Sequence, residues 1–121
     1  MRSLSDAAAA RLLASDEGRR AAQVSLLAGV AAADLALRAD EELLALTQRT
    51  LATREDSLRL ARIRFEGGAA AEGELRSAES LVAAARASVA ALQRQRTQDG
   101  NALALLLGSA VPKDLPAATP L

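Results

Sequence analysis

The chain has 121 residues, with 15 basic and 15 acidic side chains and no formal net charge, which suits one domain and does not advertise a phosphate backbone or an anionic membrane as partner. With no histidine and no cysteine it lacks the usual zinc ligand sets, disulfides, thiol nucleophiles and histidine-based acid–base catalysis. Alanine (31) and leucine (22) dominate the apolar half, against five valines, one isoleucine, one phenylalanine and no tyrosine or tryptophan; strands are disfavoured, and helices that approach closely over small side chains remain.

Met1-Arg2 is not followed by the apolar core of a secretory signal. The absence of cysteine fits either redox compartment. The longest uncharged runs, 21–33 and 100–112, fall short of the roughly 20 residues of a membrane-spanning helix.

Prolines stand only at 112, 116 and 120, so the chain before them is free to be helical, apart from the glycine cluster Gly67-Gly68 to Gly73. This predicts a first helix over 3–66, a turn over 67–71 and a second helix over 72–107, with lengths on the order of 95 Å and 54 Å for the two helices. Gly18 and Gly29 lie inside the first helix and are candidate bends. Gly108 is the expected cap of the second helix, and 109–121 an extended, proline-containing tail. The fold class is all-α: a long antiparallel helical hairpin of coiled-coil type over 1–108, because a connection of about five residues forces the chain back on itself.

In the first helix Val30, Leu37, Leu44, Leu51, Leu58 and Phe65 recur every seven residues, the period of a left-handed supercoil seam. A second stripe, Ala32, Ala39, Leu46, Thr53 and Leu60, is offset by two residues, about 200° around the helix. One core needs one stripe. Two opposed stripes predict a partner on each side, as for a stave in a wall. In the second helix Leu75, Ala78, Val82, Ala85, Val89 and Leu92 form a 3/4-spaced seam, interrupted by Arg96 and Asp99 and resumed by Leu103 and Leu106. Leu81, Ala84, Ala91, Ala102 and Leu105 widen it on one flank. The shorter helix covers only about half of the longer one, so further copies or further segments are expected over the rest.

The runs Arg64-Phe65-Glu66-Gly67-Gly68-Ala69, Glu74-Leu75-Arg76-Ser77-Ala78-Glu79 and Asn101 to Gly108 resemble the TolC-like outer-membrane efflux proteins, most of all the NodT-type lipoproteins of tripartite pumps. The opening Arg2-Ser3-Leu4 and the closing Val111-Pro112-Lys113-Asp114-Leu115-Pro116 fit the same stretch. The resemblance spans nearly this whole chain and about a quarter of such a protein. It implies a trimer with a β-barrel in the outer membrane and a helical tunnel through the periplasm. This hairpin would be the long helix, periplasmic turn and shorter returning helix of the first of two repeats. The turn is where such channels meet a periplasmic adaptor, which couples them to an inner-membrane pump. The resemblance therefore marks Gly67, Gly68 and Ala69 as an adaptor-docking turn. The usual Val-Gly-Leu-like turn keeps its glycine here and lacks its two apolar side chains, and Ala71 replaces a frequent Ser or Thr. Glu74 occupies the place of an acidic residue that holds the closed tunnel mouth in some members.

Blander roles stand beside these. The glycines reverse a chain, and Glu72 and Glu74 favour the positive end of a helix dipole. Phe65 would pack under the turn. Arg49, Arg54, Arg59, Arg62 and Arg64 interleave with Glu55, Asp56 and Glu66, with i,i+4 spacings at Glu55–Arg59 and Arg62–Glu66 and no aromatic platform, so they read as a solvated, self-paired face and not as a nucleic-acid site. Arg96 and Asp99 either pair with each other or set register against a neighbouring helix. Asp40-Glu41-Glu42 reads as solvated surface, since consecutive residues diverge by 100° and cannot converge on a metal. The spacing of Gly68 to Gly73 mimics a phosphate loop, but Glu74-Leu75 stand where Lys and Ser or Thr are needed. The sequence thus predicts no enzyme, no cofactor and no metal: either the wall of an efflux tunnel or, from another class, a self-associating coiled-coil scaffold.

Overall fold

The computed structural model describes residues 2–110 and contains two helices, α1 at Arg2–Glu66 and α2 at Glu72–Ala110; among the described residues there is no strand. The all-α hairpin expected from composition is what forms. Alanine and leucine carry α1 without a break through Gly18 and Gly29, so neither glycine interrupts it. At the far end α2 passes through Gly108, expected as a cap, and continues to Ala110. Gly68 is the one described glycine at positive φ, so Gly108 keeps helical angles, and Ser109 Oγ donates to the Leu105 carbonyl at 3.1 Å within the last turn. No helix-breaking residue precedes Pro112, which is the physical reason for the longer helix. Of the expected tail, 111–121 lies outside the described residues.

The chain forms two units. The first comprises α1 up to Asp34 and α2 from Ala102. It is thinly covered: Leu26, Val30 and Ala33 of α1 and Leu103 and Leu106 of α2 are half-buried, whereas Leu4, Leu12, Leu13, Val24, Leu27 and Leu105 are exposed. Near the N-terminus of α1 one 18-residue window reaches a mean hydropathy of 1.3 with no more than two charges. By length and composition alone that suffices for a membrane span, a test that core helices of soluble proteins and signal sequences also pass.

The second unit, Leu35–Asn101, holds the helical hairpin proper. Its core is Leu44 and Leu58 from α1 against Val82 and Val89 from α2, with Val82 only 2% exposed. Leu37, Thr47, Leu51 and Ala61 flank it on α1, and Leu75, Ala78, Ala85 and Leu92 on α2, all half-buried. Leu37, Leu44, Leu51 and Leu58 stand at the seven-residue spacing and Leu75, Ala78, Val82, Ala85, Val89 and Leu92 at the 3/4 spacing, whereas Thr47 and Ala61 belong to neither series. Phe65 departs from the pattern at 39% exposed, because α1 ends one residue later and nothing beyond covers the ring. The antiparallel register is visible in four places. Leu37 Cδ1 lies 4.0 Å from the position a Cβ on Gly100 would take, and Glu41 meets Arg96 at 3.0 Å, Glu55 meets Arg86 at 3.2 Å and Arg64 meets Glu74 at 3.6 Å.

Candidate functional site

Two features of the second unit present themselves: the turn and the outer stripe of α1. The turn is a Schellman closure. Gly67 N donates to the Ile63 carbonyl at 3.0 Å, Gly68 N to Phe65 at 3.0 Å and Ala69 N to Arg64 at 2.8 Å, which satisfies carbonyls that a helix end otherwise leaves open. Gly68 takes φ of 76°, the left-handed region where a Cβ is strained, and is the residue on which the reversal depends. α2 then starts without a side-chain cap: Glu74 N donates to the carbonyl of Ala71 at 3.1 Å, and Glu72 and Glu74 supply negative charge to its first turn. Gly67, Gly68 and Ala69 are all exposed, so the tip offers bare backbone to a partner.

Glu74 faces Arg64 across the turn, each about half exposed, an ion pair too wet to contribute much to stability. Arg76 bonds to Glu79 at 3.1 Å and to Glu72 at 3.4 Å, and these two carboxylates, Glu79 foremost, hold its guanidinium further toward the charged form. Among the clustered arginines, Arg59 pairs with Asp56 at 3.1 Å and not with Glu55 as the spacing suggests, because Glu55 reaches across to Arg86 on α2.

Sequence reasoning missed a polar layer in the seam. Asp40 and Glu41, read as solvated surface, face α2. Arg96 Nε and Nη2 both donate to Glu41 Oε1, at 3.2 and 3.0 Å, so of its two expected roles Arg96 takes the interhelical one. Asp99 Oδ1 accepts from Gln95 Nε2 at 3.0 Å. Asp40 is held above the usual aspartate range, first by a side-chain hydrogen bond with Asp99, then by partial burial and by the Asp99 charge. The signal was available, since Asp40 stands seven residues after the half-buried Ala33 and seven before the half-buried Thr47.

The outer stripe is the converse case. Ala32, Ala39, Leu46, Thr53 and Leu60 are all exposed, Leu46 by 54% and Leu60 by 58%. Thr53 does not spoil its apolar character, because its hydroxyl donates to the Arg49 carbonyl at 3.1 Å within the helix and leaves the methyl outward. Leu35 and Ile63 add exposed apolar surface along the same helix.

Residues 1–109 match the family profile described as outer membrane efflux protein. The chain belongs to that family. Several curated relatives carry the same assignment in their names. It is 45% identical to the probable efflux pump outer membrane protein SepC of Pseudomonas putida, over 96% of this chain and 24% of that protein. It is 40% identical to the solvent efflux pump outer membrane protein SrpC of Pseudomonas putida, over 100% of this chain and 26% of the relative. Against the outer membrane protein OprJ of Pseudomonas aeruginosa it is 44% identical over 90% of the chain and 23% of the relative. The chain thus spans about a quarter of the length of the relatives it matches. No group of three or more Asp, Glu, His or Cys among the described residues is placed to hold a metal. A shallow groove along Ala90, Gln93, Arg94, Thr97 and Gln98 of α2 is open to solvent and encloses no site.

Proposed function

We propose that this hairpin is a wall element of the periplasmic tunnel of an outer-membrane efflux channel, a conduit for small molecules leaving the cell and not an enzyme. The observation that carries the proposal is the outer stripe: α1 has used one apolar edge on α2 and holds a second, opposed edge in reserve. Helices with two adhesive edges close into tubes, because each stave needs a neighbour on both sides. The rest of the proposal leans on the resemblance. The parent assembles as a lipid-anchored trimer, meets the outer membrane through further segments, and works with a periplasmic adaptor and an inner-membrane pump that supplies the energy. The exposed Gly67-Gly68-Ala69 turn suits docking of a helical tip, since small residues allow close backbone approach, and Glu74 is the candidate polar contact at the tunnel mouth. A free-standing scaffold shares the outer stripe, but family membership favours the channel.

No cysteine of this chain competes with single thiols introduced by Leu46→Cys and Leu60→Cys. Oxidation should link copies through either position in membranes of cells that carry the parent protein, and a thiol at the seam position Leu44 should stay unlinked. Monomers at both outer positions, with the protein folded, would count against the wall.

A further inference from the structure

The outer stripe stands two residues beyond the seam, so the two edges divide the surface of α1 into a broad arc of about 200° and a narrow arc of about 160°. In a closed ring of staves, the directions from one stave to its two neighbours make less than half a turn on the side of the bore. On the tunnel-wall reading, on which this step rests, the narrow arc therefore faces the bore and the broad arc faces away. Along the middle of the hairpin the narrow arc carries Leu43, Thr47, Thr50, Arg54, Ser57 and Ala61.

The two arcs differ in chemistry in the same sense. The broad arc bears Glu42, Arg49, Asp56 and Arg59, all exposed, and the interhelical pairs Glu41–Arg96 and Glu55–Arg86 rim the seam on that side. The narrow arc is almost bare of charge. Thr47 and Thr50 turn their hydroxyls onto the Leu43 and Leu46 carbonyls, at 2.8 and 3.1 Å, which leaves methyl groups outward. On α2, Leu81 and Ser88 lie on the side of Val82 away from Arg86 and continue the uncharged surface. Arg54 is the exception. It is exposed, and it makes no ion pair or side-chain hydrogen bond among the described residues. Its neighbour Glu55 is already paired with Arg86. Asp40, the other charge on this arc, is half-buried two heptads away, about 21 Å along the axis and beyond a screening length of about 8–10 Å.

We propose that Arg54 lines the bore and sets its ion preference: one guanidinium from each copy, at a single height in an otherwise uncharged wall, draws small anions in and holds small cations back. The parent protein in a planar lipid bilayer, bathed by unequal potassium chloride concentrations, reads that preference as a reversal potential. Arg54→Glu should lower the chloride-to-potassium permeability ratio about twofold or more at low salt, and less at high salt, where screening shortens the reach of the charge. Arg49→Glu makes the same charge change at an exposed, likewise unpaired arginine of the broad arc and should leave the ratio unchanged. Arg54→Cys and Arg49→Cys read the assignment by access. A small methanethiosulfonate should reach both thiols, and a polyethylene-glycol maleimide too wide for the bore only the one at position 49. That pair decides the matter where Arg54→Glu does not fold. A parent protein that opens no conductance fails the tunnel-wall reading and takes this inference with it. A conductance whose ratio ignores Arg54→Glu, or moves as much with Arg49→Glu, leaves that reading standing and overturns the placement of Arg54 in the bore. So does a wide maleimide that labels position 54 as fast as position 49.

Discussion

Leu44 and Leu46 are two residues apart on one helix and face opposite ways, which makes them a matched pair of probes. Leu44 is 9% exposed and touches the seam, so Leu44→Ala should cost about 2–3 kcal/mol of hairpin stability, the low end for a core leucine because a two-helix seam is open at its sides. Leu46 is 54% exposed, so Leu46→Ala should leave the dilute, dissociated chain nearly unchanged. Helix propensity shifts both variants alike and cancels. The difference appears on association. Burying the exposed half of a leucine against a neighbour is worth about 0.8–1.6 kcal/mol, half of the full-burial range, which is roughly a fourfold to fifteenfold weaker association constant for each such leucine truncated. Sedimentation equilibrium over a concentration series reads that constant, and circular dichroism melts at the same concentrations read folding. Wild-type Tm should rise with concentration, because assembly binds the folded state only. If Leu46→Ala destabilises the dilute chain as much as Leu44→Ala, the outer stripe is an inner one. If it leaves association untouched, the stripe is no interface and the hairpin is no stave in a wall.

Gly68→Ala forces a Cβ into the left-handed region and should lower hairpin stability by about 1–2 kcal/mol in a denaturant melt. Gly73→Ala is its control: it lies in the first turns of α2, meets nothing within 4 Å, and should stabilise the hairpin by up to about 1 kcal/mol. The Glu41–Arg96 pair is about half exposed on both sides, so a double-mutant cycle with Glu41→Gln and Arg96→Ala should return a coupling of about 0.2–1 kcal/mol that shrinks in high salt. A salt-independent coupling would mean that the pair is drier than its exposure indicates.

The seven-residue period was enough to select Leu44 and Leu58, and the 3/4 spacing enough to select Val82 and Val89, because apolar burial follows helix periodicity and little else. The sequence marked the glycine cluster as a reversal without singling out Gly68, the glycine that takes positive φ. What escaped was everything that depends on register. Leu37 faces Gly100, and four residues further along α1 is Glu41, which meets Arg96 four residues back along α2. Counting outward from Gly68 by that rule would have paired the acids with α2. Reading Asp40-Glu41-Glu42 as a local trio hid it, since a local rule compares neighbours on one helix only. The same blindness assigned Glu55 to Arg59, when a partner at the right height on the other helix was competing for it. Phe65 escaped for another reason: a stripe says which way a side chain points, but not how much cover it meets at the end of its helix.

The polar layer and the outer stripe answer the same physical problem. A helical hairpin with a core of four buried apolar residues among those described has little to set against the entropy of ordering each residue, on the order of 1–2 kcal/mol for the backbone alone. Most helix stability in proteins comes from packing an apolar face, so the cover this chain lacks has to come from outside it. Alanine seams worsen the shortage for a lone hairpin, since small side chains bury little area, but they let helices stand close enough that a neighbour on each side packs along the whole length at once. Small seams also slide, because successive alanines look alike to a partner helix. The charged pair facing across the seam, Glu41 to Arg96, penalises a shifted register, since moving either helix by one turn separates the two charges. The sequence is thus weakly cohesive and strongly specified, the combination expected of a part whose final fit is made by its neighbours.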